Sequence, residues 1–192
     1  MDITLFKPED FVKSQWSGGT TTELFIFPAT ATYALRDFSF RLSSAKIEAE
    51  ISEFTSLPGI SRKLMILNGE IKIQHENHHS KLLKKFDHDA FEGDWKTTSH
   101  GRCTDFNLMT TGDTSGELNA LTFKESSSQI LIVDNYVSWL FFYALKGSVI
   151  LKIHQKTYDL PENCMIVVRN YPKGEIEINS LAISDLILCK IN

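Results

Sequence analysis

Four stretches of the chain set hydroxyls, charges or amides among residues of strand type: Trp16-Ser17-Gly18-Gly19-Thr20-Thr21-Thr22-Glu23, Phe40-Arg41-Leu42-Ser43, Leu57-Pro58-Gly59 with Arg62, and Asp105-Phe106-Asn107-Leu108-Met109. Polar groups in such surroundings are expensive to bury unless something pairs with them, so the four are expected to face one another. The chemistry they suit is recognition of a small anion. A guanidinium makes bidentate, charge-assisted hydrogen bonds to a carboxylate, which fits Arg41 or Arg62. Gly18 and Gly19 allow backbone N–H groups to close on the same anion beside the hydroxyls of Thr20 and Thr22, while Asp105 and Asn107 set its orientation. The ordinary alternatives are a plain hairpin turn at Gly18-Gly19 and a permanent ion pair between Arg41 or Arg62 and Glu23 or Asp105. Glu23 and Asp105 are also candidates for proton transfer, but no nucleophile or metal constellation accompanies them, so no catalytic residue is assigned.

Other reactive residues read as structural. His75, His78 and His79 lie in a polar stretch from Gln74 to Lys81 that reads as an exposed turn, and a solvated histidine loop is expected there rather than a metal site. His154 has no partner in sequence. Cys103, Cys164 and Cys189 are far apart and odd in number, which fits reduced thiols, with Cys103 a small buried residue. Trp139, Phe141, Phe142 and Tyr143 read as core.

Period-two alternation supplies the elements that must position these groups. In Phe38 to Ser43 it sends Phe38, Phe40 and Leu42 one way and Ser39, Arg41 and Ser43 the other. Thr20 to Phe27 reads as a strand with Thr22, Leu24 and Ile26 opposite Thr21, Glu23, Phe25 and Phe27, and Lys46 to Ile51 alternates again. Asn68-Gly69 is a hairpin signal. The segment Leu67-Asn68-Gly69-Glu70-Ile71-Lys72-Ile73 is echoed by Leu145-Lys146-Gly147-Ser148-Val149-Ile150-Leu151-Lys152-Ile153, an internal duplication. Many short strands without helical periodicity predict an all-β fold of two jelly-roll barrels, residues 1–112 and 113–192, joined near Gly112 to Glu117. Short helices are expected only over Pro8 to Lys13 and around Ser126.

Composition narrows the partners. The 192 residues are 42% hydrophobic and 23% charged, ordinary for a folded protein, and 20 Lys and Arg against 24 Asp and Glu give a net charge of −4. No basic block is present to neutralise phosphates, which argues against nucleic acid. The N-terminus lacks the pattern of a secretory signal, and the most apolar later run is interrupted by Asp134 and Asn135, so a cytoplasmic protein that does not span a membrane is expected.

In these motifs the sequence resembles the HutD/Ves family of bicupin proteins. The family's opening Trp, Gly-rich turn, Thr and Glu are matched by Trp16, Gly18, Gly19, Thr20, Thr22 and Glu23, and its aromatic-Arg-x-Ser strand by Phe40, Arg41 and Ser43. Phe54 to Arg62 is similar to its Phe-Ser-x-Phe-Pro-Gly-x-x-Arg, with Thr55 and Leu57 as departures. Phe91-Glu92-Gly93-Asp94 matches its Phe-x-Gly-Asp, and Asp105 to Met109 its Asp-Phe-Asn-x-Met. The opening loop is two residues shorter than the common form. The resemblance implies two cupin barrels without the usual metal ligands and without a cofactor. Trp16, Gly18, Gly19, Thr20, Thr22, Glu23, Arg41, Ser43, Arg62, Asp105, Asn107 and Met109 would then line a pocket in the first barrel. It implies a non-enzymatic binder of a small carboxylate, urocanate or N-formylglutamate, modulating histidine utilisation or a stress response. The rival expectations are a cupin-like isomerase or hydrolase acting on a small acid, and an interaction module whose second-barrel surface docks another protein or forms a homodimer.

Overall fold

The computed structural model describes residues 1–192. Its strands are β1 (Asp2–Phe6), β2 (Val12–Trp16), β3 (Gly19–Phe27), β4 (Phe40–Ile47), β5 (Ile51–Glu53), β6 (Ile60–Gly69), β7 (Ile71–His75), β8 (Ser80–Leu83), β9 (His88–Glu92), β10 (Thr97–His100), β11 (Cys103–Thr111), β12 (Gly116–Phe123), β13 (Ser127–Val133), β14 (Val137–Lys146), β15 (Val149–Ile153), β16 (Lys156–Leu160), β17 (Met165–Tyr171), β18 (Gly174–Ser180) and β19 (Ser184–Ile191). The helix expected over Pro8 to Lys13 shrinks to a 3-10 turn, Pro8–Asp10, after which β2 begins. Around Ser126 there is a turn instead of a helix, with Ser126 at φ 51°. The expected strand from Lys46 to Ile51 breaks after Ile47, so that Ile51 is exposed and Ser52 is buried. No helix is long and apolar enough to cross a membrane.

The strands form two compact units, Phe11–Ser115 and, together, Met1–Asp10 with Gly116–Asn192. The first ten residues therefore leave the segment 1–112 that the sequence assigns to one barrel. The reason is pairing: β1 runs antiparallel to β17, Asp2 opposite Arg169 and Phe6 opposite Met165.

In the unit Phe11–Ser115 the sheets are ordered β2-β3-β4-β11-β6-β9 and β5-β10-β7-β8; in the other they are β1-β17-β14-β19-β12 and β13-β18-β15-β16. With β1, β2 and β3 set aside, β4-β11-β6-β9 matches β12-β19-β14-β17, and β5-β10-β7-β8 matches β13-β18-β15-β16. Each unit is thus the same antiparallel two-sheet jelly roll, the cupin-type architecture. The duplication extends to backbone detail. Gly69 and Gly147 have φ of 85° and 66°, and a Cβ on either would strike Arg102 O at 2.4 Å or Ser184 Oγ at 2.5 Å. Beside each glycine the ladder between the equivalent strands slips, in β6–β11 and in β14–β19.

Hydrocarbon fills the barrel completed by Met1–Asp10, with Leu140, Phe142, Leu151, Ile166, Ile176 and Leu188 among its core. Of the aromatic run expected there, Phe142 enters this core, whereas Trp139 and Phe141 occupy the other face of β14, their rings 6.0 Å apart. The barrel of Phe11–Ser115 differs. Its apolar residues include one cluster around Leu64, Ile66, Ile71 and Ile73 and another around Phe38, Leu57, Ile60 and Met109, and polar side chains lie where β4, β6 and β11 run together.

Candidate functional site

The polar face of β4 turns inward. Arg41, Ser43, Ala45 and Ile47 line a cavity of about 330 Å³ inside the barrel of Phe11–Ser115, together with Asp105, Asn107 and Met109 from β11 and Arg62 from β6. Register sets their spacing: β11 places Met109 between Arg41 and Arg62, and Asn107 between Ser43 and Leu64. The turn that launches β6 is held by the Phe91 to Asp94 segment. Gly93 N–H donates to Ile60 O at 2.7 Å, Leu57 N–H donates to Gly93 O at 2.7 Å, and a Cβ at Gly93 would lie 2.5 Å from Leu57 O. The two motifs therefore interlock to deliver Arg62.

The two arginines are in different electrostatic situations. Arg41 is neutralised: its Nε donates to Glu23 Oε2 at 2.6 Å, its Nη1 to Ser43 Oγ at 3.0 Å, and it lies over the Tyr33 ring. The permanent pairing weighed as an alternative thus holds for Arg41. Arg62 is buried, donates through Nε and Nη2 to Asn107 Oδ1 at 3.4 and 3.3 Å, and lies 5.0 Å from the centres of both the Phe54 and Phe91 rings. No carboxylate bridges it. Burial pulls its pKa from 12.5 down to about 10, against the attraction of Asp105. Asp105 is itself buried and accepts one backbone hydrogen bond, from Ala45 N–H at 3.3 Å. Burial lifts its carboxyl to about 7, although Arg62 and the Ala45 N–H favour the charged form. At the wall formed by β5, Ser52 Oγ is buried without a hydrogen-bond partner, as is Ser99 Oγ opposite it on β10.

Of the residues singled out in the sequence, Trp16, Arg41, Ser43, Arg62, Asp105, Asn107 and Met109 line this cavity, and Glu23 reaches it through Arg41. Thr20 and Thr22 do not. Strand period two puts Thr21 inward and its neighbours on the opposite face, so the hydroxyl on the cavity belongs to Thr21. A slip between Glu23 and Phe25 then reverses the parity of β3: Ile26 packs with Phe38 and Met109, while Phe25 and Phe27 stack on Phe40. Gly18 and Gly19 line a separate shallow cleft with Thr20 and Glu48. Contact explains these glycines, since a Cβ on Gly18 would lie 2.1 Å from the Trp16 ring and one on Gly19 1.9 Å from Lys46 O. The sequence reading also missed Tyr33 and Ser52. Ser52 had a signal, the alternation Ile51-Ser52-Glu53 read in the opposite phase; Tyr33 arrives from a loop with no periodic cue.

His75 and, in part, His79 depart from the solvated loop that was expected, whereas His78 is exposed. His75 is buried at the end of β7, its Nε2 3.1 Å from Asp89 Oδ2 and its Nδ1 2.7 Å from Thr97 Oγ1. His79 Nε2 lies 2.8 Å from the same Asp89 oxygen, Lys81 Nζ holds Asp89 Oδ1, and His78 stacks on Trp95. Asp89 comes from β9, and this partner from another strand accompanies the burial of His75 while Glu76, Asn77 and His78 of the turn stay exposed. Cys103 is buried, and burial pushes its thiol up to about 12, so it remains an unreactive neutral group.

The other barrel has no counterpart of this cavity lining. Opposite Ile66 and Leu64 of β6 stand Asp105 and Asn107; at the equivalent places opposite Ala144 and Phe142 of β14 stand Leu186 and Leu188, both core residues. One copy of the duplicated barrel is packed with hydrocarbon where the other holds charge.

No curated protein matches the chain. Among solved structures it is similar to PA5104, a conserved protein of unknown function from Pseudomonas aeruginosa PAO1, at 18% identity and TM-score 0.84, covering 100% of both chains. It is also similar to HutD from Pseudomonas fluorescens SBW25, determined in a formate condition, at 20% identity and TM-score 0.73, again over 100% of both chains. A bacterial pirin, YhhW from Escherichia coli, in complex with nickel(II), aligns at 11% identity and TM-score 0.70 over 98% of each chain. At these identities the likenesses establish the fold, cupin-type barrels. The sequence itself goes further, because the profile of the HutD family matches residues 8–183. The chain belongs to the HutD family.

Proposed function

We propose that the protein binds a small carboxylate in the barrel of Phe11–Ser115, with Arg62 as the anchor, and that it acts without catalysis as a cytoplasmic sensor tuning histidine utilisation or a related metabolic response. The observation that carries this reading is a buried guanidinium with no carboxylate partner on the wall of a cavity. Buried charges are costly unless paired, and an incoming carboxylate supplies the missing partner. A cavity of about 330 Å³ stands at the small end of the usual ligand-pocket range, ~300–1,000 Å³. Formate, in whose presence the Pseudomonas fluorescens HutD was determined, is the smallest carboxylate of all. Urocanate and N-formylglutamate are the metabolite candidates. With either one, Arg62 and Asn107 hold the carboxylate end, and Thr21 and Ser52 are the hydroxyls available to its remainder.

Titration calorimetry and thermal melting against urocanate, N-formylglutamate, formate, histidine and glutamate test the proposal. Saturable binding of one acid, lost in Arg62→Met, is the expected outcome. Binding of none, or binding indifferent to Arg62, rejects it. A second reading is favoured by Asp105, whose carboxyl near 7 beside Arg62 is poised to exchange a proton with a bound acid. Turnover of the bound acid, abolished in Asp105→Asn while binding persists, would make the protein an isomerase or hydrolase.

A further inference from the structure

The histidine cluster described above has no part in the carboxylate site, and none of its members lines that cavity. Three potential ligand atoms converge there, His75 Nε2, His79 Nε2 and Asp89 Oδ2, all within 4.8 Å of one another. The hairpin between β7 and β8 makes this convergence. His75 N–H donates to His79 O at 2.8 Å, Asn77 takes a left-handed turn at φ 63°, and His78 is held flat against Trp95 with ring centres 3.7 Å apart. His75 and His79 thereby present their rings to the same side, toward the carboxylate from β9.

We propose that His75, His79 and Asp89 form a binding site for a divalent transition cation of the zinc class, completed by solvent in the fourth position. Two imidazole nitrogens and one carboxylate oxygen are a ligand set of open tetrahedral zinc sites. The surroundings supply the outer contacts such a site needs. Thr97 Oγ1 lies 3.1 Å from Trp95 O and 2.7 Å from His75 Nδ1, so the hydroxyl donates to the carbonyl and accepts the Nδ1 proton. That arrangement turns the Nε2 lone pair toward Asp89, as an outer hydrogen bond does for a metal-bound histidine. Lys81 occupies only Oδ1 of Asp89 and leaves Oδ2 to the cation; its half-exposed side chain can swing into solvent as positive charge arrives. Access is open, since a cleft lined by His79, Lys81, His88 and Asp89 leads to the cluster. Two ligands are buried and held in place while the third is partly exposed, so the site is preorganised and reachable.

The test uses the full chain stripped with a chelator and titrated with Co²⁺, followed by its visible absorption, and with Zn²⁺ by calorimetry. Stoichiometric Co²⁺ binding with the intense bands of tetrahedral coordination, displaced by Zn²⁺, is expected. His79→Ala, at a partly exposed position that tolerates truncation, abolishes the bands; Thr97→Val weakens affinity about 10–100-fold; His100→Ala, at an exposed histidine outside the cluster, leaves both unchanged. The site is refuted by the absence of stoichiometric binding, by a spectrum that stays octahedral, or by binding that survives His79→Ala.

Discussion

Replacing Arg62 with Met separates a ligand anchor from a structural cation. Methionine keeps an unbranched apolar stem between Phe54 and Phe91 and removes the charge with its hydrogen-bond donors. Burial lowers the Arg62 pKa from 12.5 to about 10, and at ~1.4 kcal/mol per pH unit the charge costs the ligand-free barrel about 3 kcal/mol. Removing the guanidinium recovers that cost. It forfeits the Asn107 hydrogen bonds, ~1 kcal/mol net, and two ring contacts at ~0.5–1 kcal/mol each. The variant is therefore expected within about 1 kcal/mol of the parent, whereas breaking a buried ion pair costs ~3–5 kcal/mol. Thermal melting with and without acid reads both sides of the argument. For a chain of this length 1 kcal/mol moves the midpoint by ~2–4 °C. The parent at 100 times the dissociation constant gains ~2.7 kcal/mol, and Arg62→Met gains nothing. A fall of more than ~3 kcal/mol in the ligand-free variant would make Arg62 a structural cation, and an undiminished response to the acid would remove it as the anchor.

Asp105 makes stability depend on pH in a defined direction. Its folded pKa, about 7, exceeds the ordinary 3.8, so its contribution is fully present below about 3.8 and is lost as pH rises to about 7; Asp105→Asn is expected to flatten denaturant-measured stability over that window and gain a few kcal/mol above it. Acid binding by the parent should weaken above pH ~7, where a second negative charge faces the ligand, and calorimetry of Asp105→Asn should show no such loss. Arg41→Ala strands the Glu23 carboxylate and should cost ~3 kcal/mol in a melting experiment, with the Arg41→Met, Glu23→Leu double variant recovering most of it. Thr21→Val should weaken acid binding in the same assay while Thr20→Val and Thr22→Val leave it unchanged, because only Thr21 faces the cavity.

What could be read in advance was whatever depends on neighbours in sequence. The alternation Phe40-Arg41-Leu42-Ser43 and the identical phase of Asp105, Asn107 and Met109 follow from strand geometry alone, so the polar wall of the barrel was visible without coordinates. The Asn68-Gly69 hairpin and its echo at Gly147 gave the duplication for the same reason. Long-range facts were hidden. Whether Arg41 or Arg62 carries the unneutralised charge depends on which one Glu23 reaches across β3 and β4, and the slip after Glu23 that turns Ile26 toward Phe38 and Met109 leaves no mark in residue types. The burial of His75 rests on Asp89 and Thr97 from other strands, and the membership of β1 on a partner near the far end of the chain.

That last pairing has a consequence for the order in which the protein can be made. As the chain leaves the ribosome, β1 emerges well before its partner β17. Phe11–Ser115 is one continuous stretch, so its barrel can close while the remainder is still being synthesised. During that interval β1 is a strand without a neighbour, and Asp2 and Thr4 give it the polar side that keeps a waiting edge soluble. A nascent chain cut off before Met165 would retain the barrel of Phe11–Ser115 and lack the strand that β1 pairs with.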